Sequence, residues 1–197
     1  MINKVLLIFI PLLVFSCKNP RKINNEKIKQ TEVLDKKEIV VRNSDDCINL
    51  VNNFPSNFEK FNRIYGYDDI KGEGDLYSKY EEHINDFFSC SEVSNYIKLQ
   101  RAINVGINGK WDADAIGLFQ HKLVDLIKSN PQETLKGLNN ITKEEASSFW
   151  HFLFDGPHPD DKQNINDVNI LIELFGKDNT QTLLLKQEYE KLKSKKH

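Results

Sequence analysis

Two histidines and three aspartates lie within the 14 positions from residue 148 to residue 161. Imidazole nitrogens and carboxylate oxygens are the ligands that zinc and similar divalent ions take in proteins. His151 and Asp155 are four positions apart, so they share one face if this stretch is helical. The segment therefore supports a metal-binding protein or metal-dependent enzyme as one hypothesis. The candidate binding residues are Trp150, His151, Asp155, His158, Asp160 and Asp161.

The same pattern is also what an ordinary amphipathic helix requires. Polar residues opposite Phe149 would form its solvent face, and Gly156 followed by proline is common helix-ending chemistry. Ser147, His151 and Asp155 would project in a row from one helix, which does not supply a nucleophile with an oxyanion hole. We therefore assign no catalytic residue and no cofactor, and we favour a non-enzymatic protein.

The first 17 residues have the organisation of an export signal. Lys4 precedes a largely apolar run over residues 5–15, which is too short to span the roughly 30 Å hydrocarbon core of a bilayer comfortably. Residues 14–17, Val-Phe-Ser-Cys, resemble the lipobox of bacterial lipoproteins. The resemblance implies cleavage before Cys17 and acylation of that residue, which would anchor the protein to a membrane without a transmembrane helix.

A cationic stretch follows, with eight Lys or Arg and four Asp or Glu in residues 18–43. It contains no aromatic residue, which is typical of a solvated tether. We therefore predict a signal peptide at 1–16, a lipidated flexible tether at 17–43 and a folded domain at 44–197. Lys18 stands where lipoproteins of the inner membrane typically carry Asp, so the resemblance favours the outer membrane, with the domain facing the periplasm.

Charge is distributed unevenly along the chain. The whole sequence is near neutral, with 27 Lys or Arg and 29 Asp or Glu, but residues 44–197 hold 18 of the cations and 25 of the anions. The domain therefore carries a net charge of about −7, much of it in its first third. Nucleic-acid binding needs a surplus of cations, so we expect no nucleic-acid partner. An acidic domain on a basic tether instead suits a cationic partner.

Two cysteines remain after Cys17, which agrees with an oxidising compartment. We predict a disulfide between Cys47 and Cys90 that joins the first helix to the end of a later one. Two buried free thiols are the alternative.

The sequence predicts that helices position these candidate residues. Apolar residues recur at helical spacing from Ser44 onward, and no stretch shows sustained alternation. Thr142 and Glu145 predict a capping box, and Pro131, Asp75 and Ser91 each predict a helix start. The sequence predicts an all-α fold, an irregular bundle of about eight or nine helices, with a short helical solenoid as the alternative.

Two loop segments have weaker signals. Residues 68–75 are acidic and glycine-rich but lack ligand oxygens at two positions of a calcium loop, so we expect a polar interhelical loop. Residues 108–120 resemble the turn and Phe-Gln helix of small helical peptidoglycan-binding domains, which would give Trp111 a binding role.

From these features we expect a membrane-anchored periplasmic protein-binding module, of which an immunity or inhibitor protein is one concrete form. It would engage a protein partner of unassigned identity through its acidic surface or through residues 150–161. A metal-dependent function of residues 151–161 is one alternative, and a peptidoglycan-associated structural lipoprotein is the second.

Overall fold

Nine α-helices account for most of the chain within residues 44–68, 70–112 and 114–194, which a computed structural model describes. The described residues belong to one compact unit, and they confirm the all-α irregular bundle. The predicted signal peptide and tether lie outside them. The helices are α1 (Ser44–Asn53), α2 (Phe58–Tyr65), α3 (Tyr80–Ser89), α4 (Asn95–Gly106), α5 (Asp114–Ser129), α6 (Pro131–Leu138), α7 (Lys143–Phe154), α8 (Lys162–Phe175) and α9 (Thr180–Ser194).

Local sequence signals explain several helix boundaries. Thr142 accepts a hydrogen bond from the backbone N–H of Glu145, whose side chain bonds back to the Thr142 N–H, so the predicted capping box is confirmed. Pro131 opens α6 as predicted. The Asp161 side chain accepts a 2.7 Å hydrogen bond from the Asn164 N–H and caps α8.

Residues 67–73 differ from the loop that the sequence predicts. They form a minimal antiparallel hairpin of β1 (Tyr67–Asp68) and β2 (Gly72–Glu73). Asp68 accepts hydrogen bonds from the amides of Ile70 and Lys71, and Gly72 takes a φ of +82° that glycine adopts without steric cost. Composition alone did not reveal this pairing, because two-residue strands are too short to show alternation.

Two helices begin later than the capping residues in the sequence indicate. We expected a helix from Asp75, but a 3₁₀ turn at Tyr77–Lys79 precedes α3. The backbone N–H of Leu76 donates to the Ile64 carbonyl, which ties this stretch to α2 instead. We also expected Ser91 to open a helix, whereas Ser94 is the N-cap residue of α4.

An aromatic cluster fills the core between the first five helices. The Phe54 and Phe87 rings stack with centroids 4.0 Å apart, and Phe119 lies 4.9 Å from Phe61. α4 approaches α7 at Gly106, where a Cβ atom would lie 2.7 Å from the Phe149 ring. Around this cluster α7 packs on α9, α3 on α5, and α4 on α6. Within the described residues no helix is long and apolar enough to cross a bilayer.

The disulfide between Cys47 and Cys90 is confirmed, with Cα atoms 5.7 Å apart. It joins α1 to the C-cap residue of α3. Two cations of α4 reinforce the same junction. Lys98 donates to the carbonyls of Phe88 and Cys90 at the end of α3, and Arg101 donates to two carbonyls at and just beyond the end of α1. The cations thus satisfy carbonyls that helix ends leave without partners.

Candidate functional site

Trp150 lies in the core rather than on a binding surface. Its side chain is 0% exposed, and its indole N–H donates a 3.0 Å hydrogen bond to Gln181 on α9. Phe149 and Phe175 pack against its ring. Trp150 therefore holds α7, α8 and α9 together and offers no surface to a partner.

His151 faces α9. Its Nδ1 atom lies 3.4 Å from a carboxylate oxygen of Glu188, whose other oxygen accepts a 2.6 Å hydrogen bond from Lys191. Glu188 is only 5% exposed, and the ammonium group of Lys191 places a positive charge beside this buried carboxylate. The residues line an open cavity of about 460 Å³ that also includes Ser147 and Ser148.

Asp155, His158 and Asp161 line a different cavity, of about 260 Å³, together with Trp111. We call it the Trp111 cavity. Asp160 is exposed but does not line it. The wall of the Trp111 cavity comes from Trp111, α5, the end of α7, the loop that follows it and the first half of α8. It consists of Trp111, Gly117, Gln120, His121, Val124, Leu153, Phe154, Asp155, Gly156, Pro157, His158, Asp161, Gln163, Asn164 and Asp167.

The candidate residues do not form a metal-ligand set. Among the described residues, only Cys47, Cys90 and Glu92 place three potential ligand atoms within 4.8 Å of one another. The two cysteines form a disulfide, and zinc ligation requires thiolates. His151 and His158 lie in different cavities, so their imidazoles do not converge.

Backbone and side-chain hydrogen bonds fix the shape of the Trp111 cavity. The backbone N–H of Trp111 donates a 2.9 Å hydrogen bond to Oδ2 of Asp155, which holds the loop before α5 against the end of α7. The buried amide of Gln120 donates to the carbonyls of Phe152 and Asp155. The indole of Trp111 lies beside Gly156 and remains 39% exposed.

The carboxylates of the Trp111 cavity differ in how their charge is balanced. Asp167 is buried and accepts 3.0 Å bonds from Lys128 and from the Gln163 amide. Burial lowers the pKa of Lys128, but its hydrogen bonds to Asp167 and Asp125 outweigh that effect, so its pKa lies above the usual value. Asp167 is therefore neutralised by an ammonium group within the protein.

A second candidate surface is the acidic hairpin segment, which we define as residues 67–82. It contains six Asp or Glu and two Lys. Ile70 at its tip is 94% exposed, and Tyr67 and Leu76 are 53% and 39% exposed. The segment contributes to a cavity of about 530 Å³ between the hairpin and α2. Exposed apolar side chains clustered among charges are a feature of protein-binding surfaces.

Hydrogen bonds keep this segment ordered and charged. The amides of Lys71 and Ile70 hold the pKa of the Asp68 carboxyl below its usual value. The Tyr77 hydroxyl donates a 2.6 Å bond to Asp114 on α5, and this bond, with burial and nearby charges, raises the pKa of Tyr77 to about 12. The hairpin segment is thereby joined to the start of α5.

The sequence reasoning found the loop residues of the Trp111 cavity but missed the contribution of α5. His121 and Val124 of α5 lie outside every segment that the sequence singled out, and only tertiary pairing brings them to the same cavity as Asp155. Comparison with protein-family models, curated proteins and solved structures found no match to this chain.

Proposed function

We propose that this chain is an envelope lipoprotein, anchored through Cys17, whose helical domain binds a positively charged protein through the acidic hairpin segment. The proposal describes a binding module and assigns no catalytic step. It replaces residues 150–161 as the principal partner surface, because Trp150 is buried and His151 is engaged with Glu188.

The distribution of charge is the observation that carries the proposal. Residues 44–92 contain eleven Asp or Glu and four Lys or Arg, a net charge of −7. Residues 93–197 contain fourteen of each, a net charge of zero. The net negative charge of the domain is therefore confined to its first third, where it attracts cationic partners and increases their association rate.

Apolar exposure within the same segment supplies the second requirement of a stable interface. Charge steers the encounter of two proteins, whereas burial of apolar and aromatic side chains holds the complex together. Tyr67, Ile70 and Leu76 provide such side chains within ten positions, next to the carboxylates of Glu73 and Asp75.

The lipobox-like residues support the anchored form of this function. A tether that holds the domain at a membrane raises its local concentration near partners at the same surface. Residues 18–43 carry a net charge of +4, opposite in sign to the domain, which suits attraction to anionic headgroups.

Matched charge neutralisation tests the proposal. The variant Glu73→Gln/Asp75→Asn/Glu81→Gln removes three exposed charges of the hairpin segment. The control Glu133→Gln/Glu173→Gln/Asp178→Asn removes three exposed charges elsewhere on the domain. Each full-length protein is expressed in the cells that naturally produce it and is purified from their envelope. The proteins captured with it are quantified by mass spectrometry at low and high salt.

We expect a basic protein to be recovered with the wild type and the control, and at least tenfold less with the hairpin variant. Three interfacial charges worth about 0.5 kcal/mol each give about a tenfold change in affinity. Equal recovery with all three proteins, or recovery insensitive to salt, would contradict the proposal.

A further inference from the structure

We propose that the Trp111 cavity is a binding site for an organic cation, an alkylammonium or guanidinium group. The site is separate from the acidic hairpin segment, and the inference goes beyond the partner-binding function proposed above. An aromatic side chain and two carboxylates line a half-open cavity at this place.

Trp111 supplies the aromatic wall. Its side chain is 39% exposed, and its backbone N–H donates to Asp155, so the backbone that carries the ring is fixed and the ring stays accessible. A cation over the face of a tryptophan ring is attracted by the ring quadrupole. Tryptophan is the strongest of the aromatic side chains in this interaction.

Asp155 and Asp161 supply negative charge. Oδ2 of Asp155 accepts a hydrogen bond from the backbone N–H of Trp111, and Oδ1 of Asp161 accepts one from the backbone N–H of Asn164. Within the described part of the chain, we find no hydrogen bond to the second oxygen of either carboxylate. Asp167 is paired with Lys128, and no Lys or Arg is among the residues that line the cavity.

The size of the cavity fits one small group. Its volume of about 260 Å³ is below the roughly 300–1,000 Å³ of sites for drug-sized ligands. Leu153, Val124 and Pro157 line part of the wall and suit the methylene groups of an alkyl cation. The ligand class is therefore a primary amine or guanidine with a short alkyl chain, either free or as a Lys or Arg side chain.

Two tryptophans make the site measurable in the full-length protein. Trp111 is partly exposed in the cavity, whereas Trp150 is buried elsewhere and serves as an internal reference. The chain is labelled with 5-fluorotryptophan and titrated with n-butylammonium and with methylguanidinium. Neutral n-butanol, anionic butyrate and an N-acetylglucosamine trimer are the comparison ligands.

We expect both cations to shift the Trp111 ¹⁹F signal to saturation while the Trp150 signal stays in place. Asp155→Asn/Asp161→Asn keeps the oxygen that accepts each backbone bond but removes both charges, so it should weaken binding at least tenfold. Gly117→Met should abolish the shift, because a Cβ at Gly117 meets no atom within 4 Å and the added side chain would occupy the cavity.

Gly117→Ala is the matched control for the filled cavity and should retain binding. A capped Ala-Arg-Ala peptide distinguishes the two sources of the cation. Binding at least tenfold tighter than methylguanidinium would assign the site to a protein side chain, whereas equal affinity would assign it to a free amine or guanidine.

Several results would overturn the inference. They are the absence of a saturable shift with either cation, an equal shift with n-butanol, an unchanged affinity in the doubly neutralised variant, and a shift produced only by the N-acetylglucosamine trimer. The last result would instead support a peptidoglycan role for Trp111.

Discussion

Lys98 shows how a single residue secures several elements. It is only 4% exposed, and its ammonium group donates a 2.7 Å bond to the Cys90 carbonyl and a 3.1 Å bond to that of Phe88. Burial lowers the pKa of Lys98, although the nearby charge of Glu92 opposes this effect. The lysine thus completes the end of α3 next to the disulfide.

Replacing Lys98 by methionine should destabilise the domain by about 1–3 kcal/mol, because two carbonyl oxygens lose their donor. Urea unfolding followed by circular dichroism measures the change. Lys110→Met, at an exposed position, is the control and should stay within about 0.5 kcal/mol of the wild type. Equal stability of the two variants would contradict a structural role for Lys98.

Tyr65 makes the free energy of unfolding depend on pH in the alkaline range. Burial raises the pKa of Tyr65 from 10.0 to about 12, and its hydroxyl lies 3.2 Å from Nδ1 of His83. The unfolded chain loses this proton near pH 10, before the folded protein does. Stability from this group is therefore complete below pH 10 and is lost as pH rises toward 12.

We expect the free energy of unfolding to fall between pH 9.5 and about pH 11, and to fall less steeply in Tyr65→Phe, which has no phenol to ionise. Urea unfolding at a series of pH values measures both slopes. A steeper decline in the variant would contradict the assignment.

The helix boundaries show which parts of the fold can be predicted from the sequence. Thr142 and Pro131 carry their capping signals within four residues, so α6 and α7 were predicted correctly. The predicted start of α3 was wrong, because the backbone N–H of Leu76, just after the hairpin, donates to the Ile64 carbonyl of α2, a bond that no local pattern reveals. Local signals predict elements, whereas contacts between elements move their boundaries.

In the Trp111 cavity, too, the sequence predicted residues that lie close together along the chain and missed those brought in by contacts between elements. Asp155, His158 and Asp161 were found because they lie close together in the sequence. The other wall of the cavity comes from α5 and from Trp111, which is 44 positions before Asp155 and was assigned only through a resemblance. Trp150 lies four positions from both Ala146 and Phe154, so helical spacing alone predicts that it lies on the apolar face of α7, where the structure buries it.

Gly117 tests the packing of α5. It lies inside a helix, where glycine costs about 1 kcal/mol relative to alanine, and a Cβ there meets no atom within 4 Å. We expect Gly117→Ala to stabilise the domain by about 0.5–1 kcal/mol in thermal or urea unfolding. Destabilisation would show that the space beside α5 is not open.

The disulfide should contribute about 4 kcal/mol to stability, because it joins residues 43 positions apart and restricts the unfolded chain. Cys47→Ala/Cys90→Ala should lose most of this amount in urea unfolding, and a reducing agent should then have no further effect. Cys17→Ala, which leaves the disulfide intact, is the control.

At the scale of the whole molecule, charge separates the chain into parts. Residues 18–43 carry a net charge of +4, residues 44–92 carry −7, and residues 93–197 are neutral. Because screening acts over about 8 Å at physiological salt, such blocks act on partners as local surfaces rather than through the total charge of −2. This organisation favours a membrane-held domain with one acidic binding surface.

The anchor is tested by Cys17→Ala. We expect the wild type to partition into a detergent phase and the variant to be recovered in the aqueous phase, because the acyl chains supply the membrane affinity. Identical partitioning of the two proteins would contradict lipidation at Cys17.

Photocrosslinking in living cells tests the binding surface most directly. A photoreactive phenylalanine analogue is placed at Tyr67, which is 53% exposed in the hairpin segment, or at Leu183, which is 55% exposed on α9. We predict that the full-length protein forms a discrete crosslink to a basic protein from position 67 and not from position 183. Crosslinks of equal yield from both positions, or none from position 67, would contradict binding through the acidic hairpin segment.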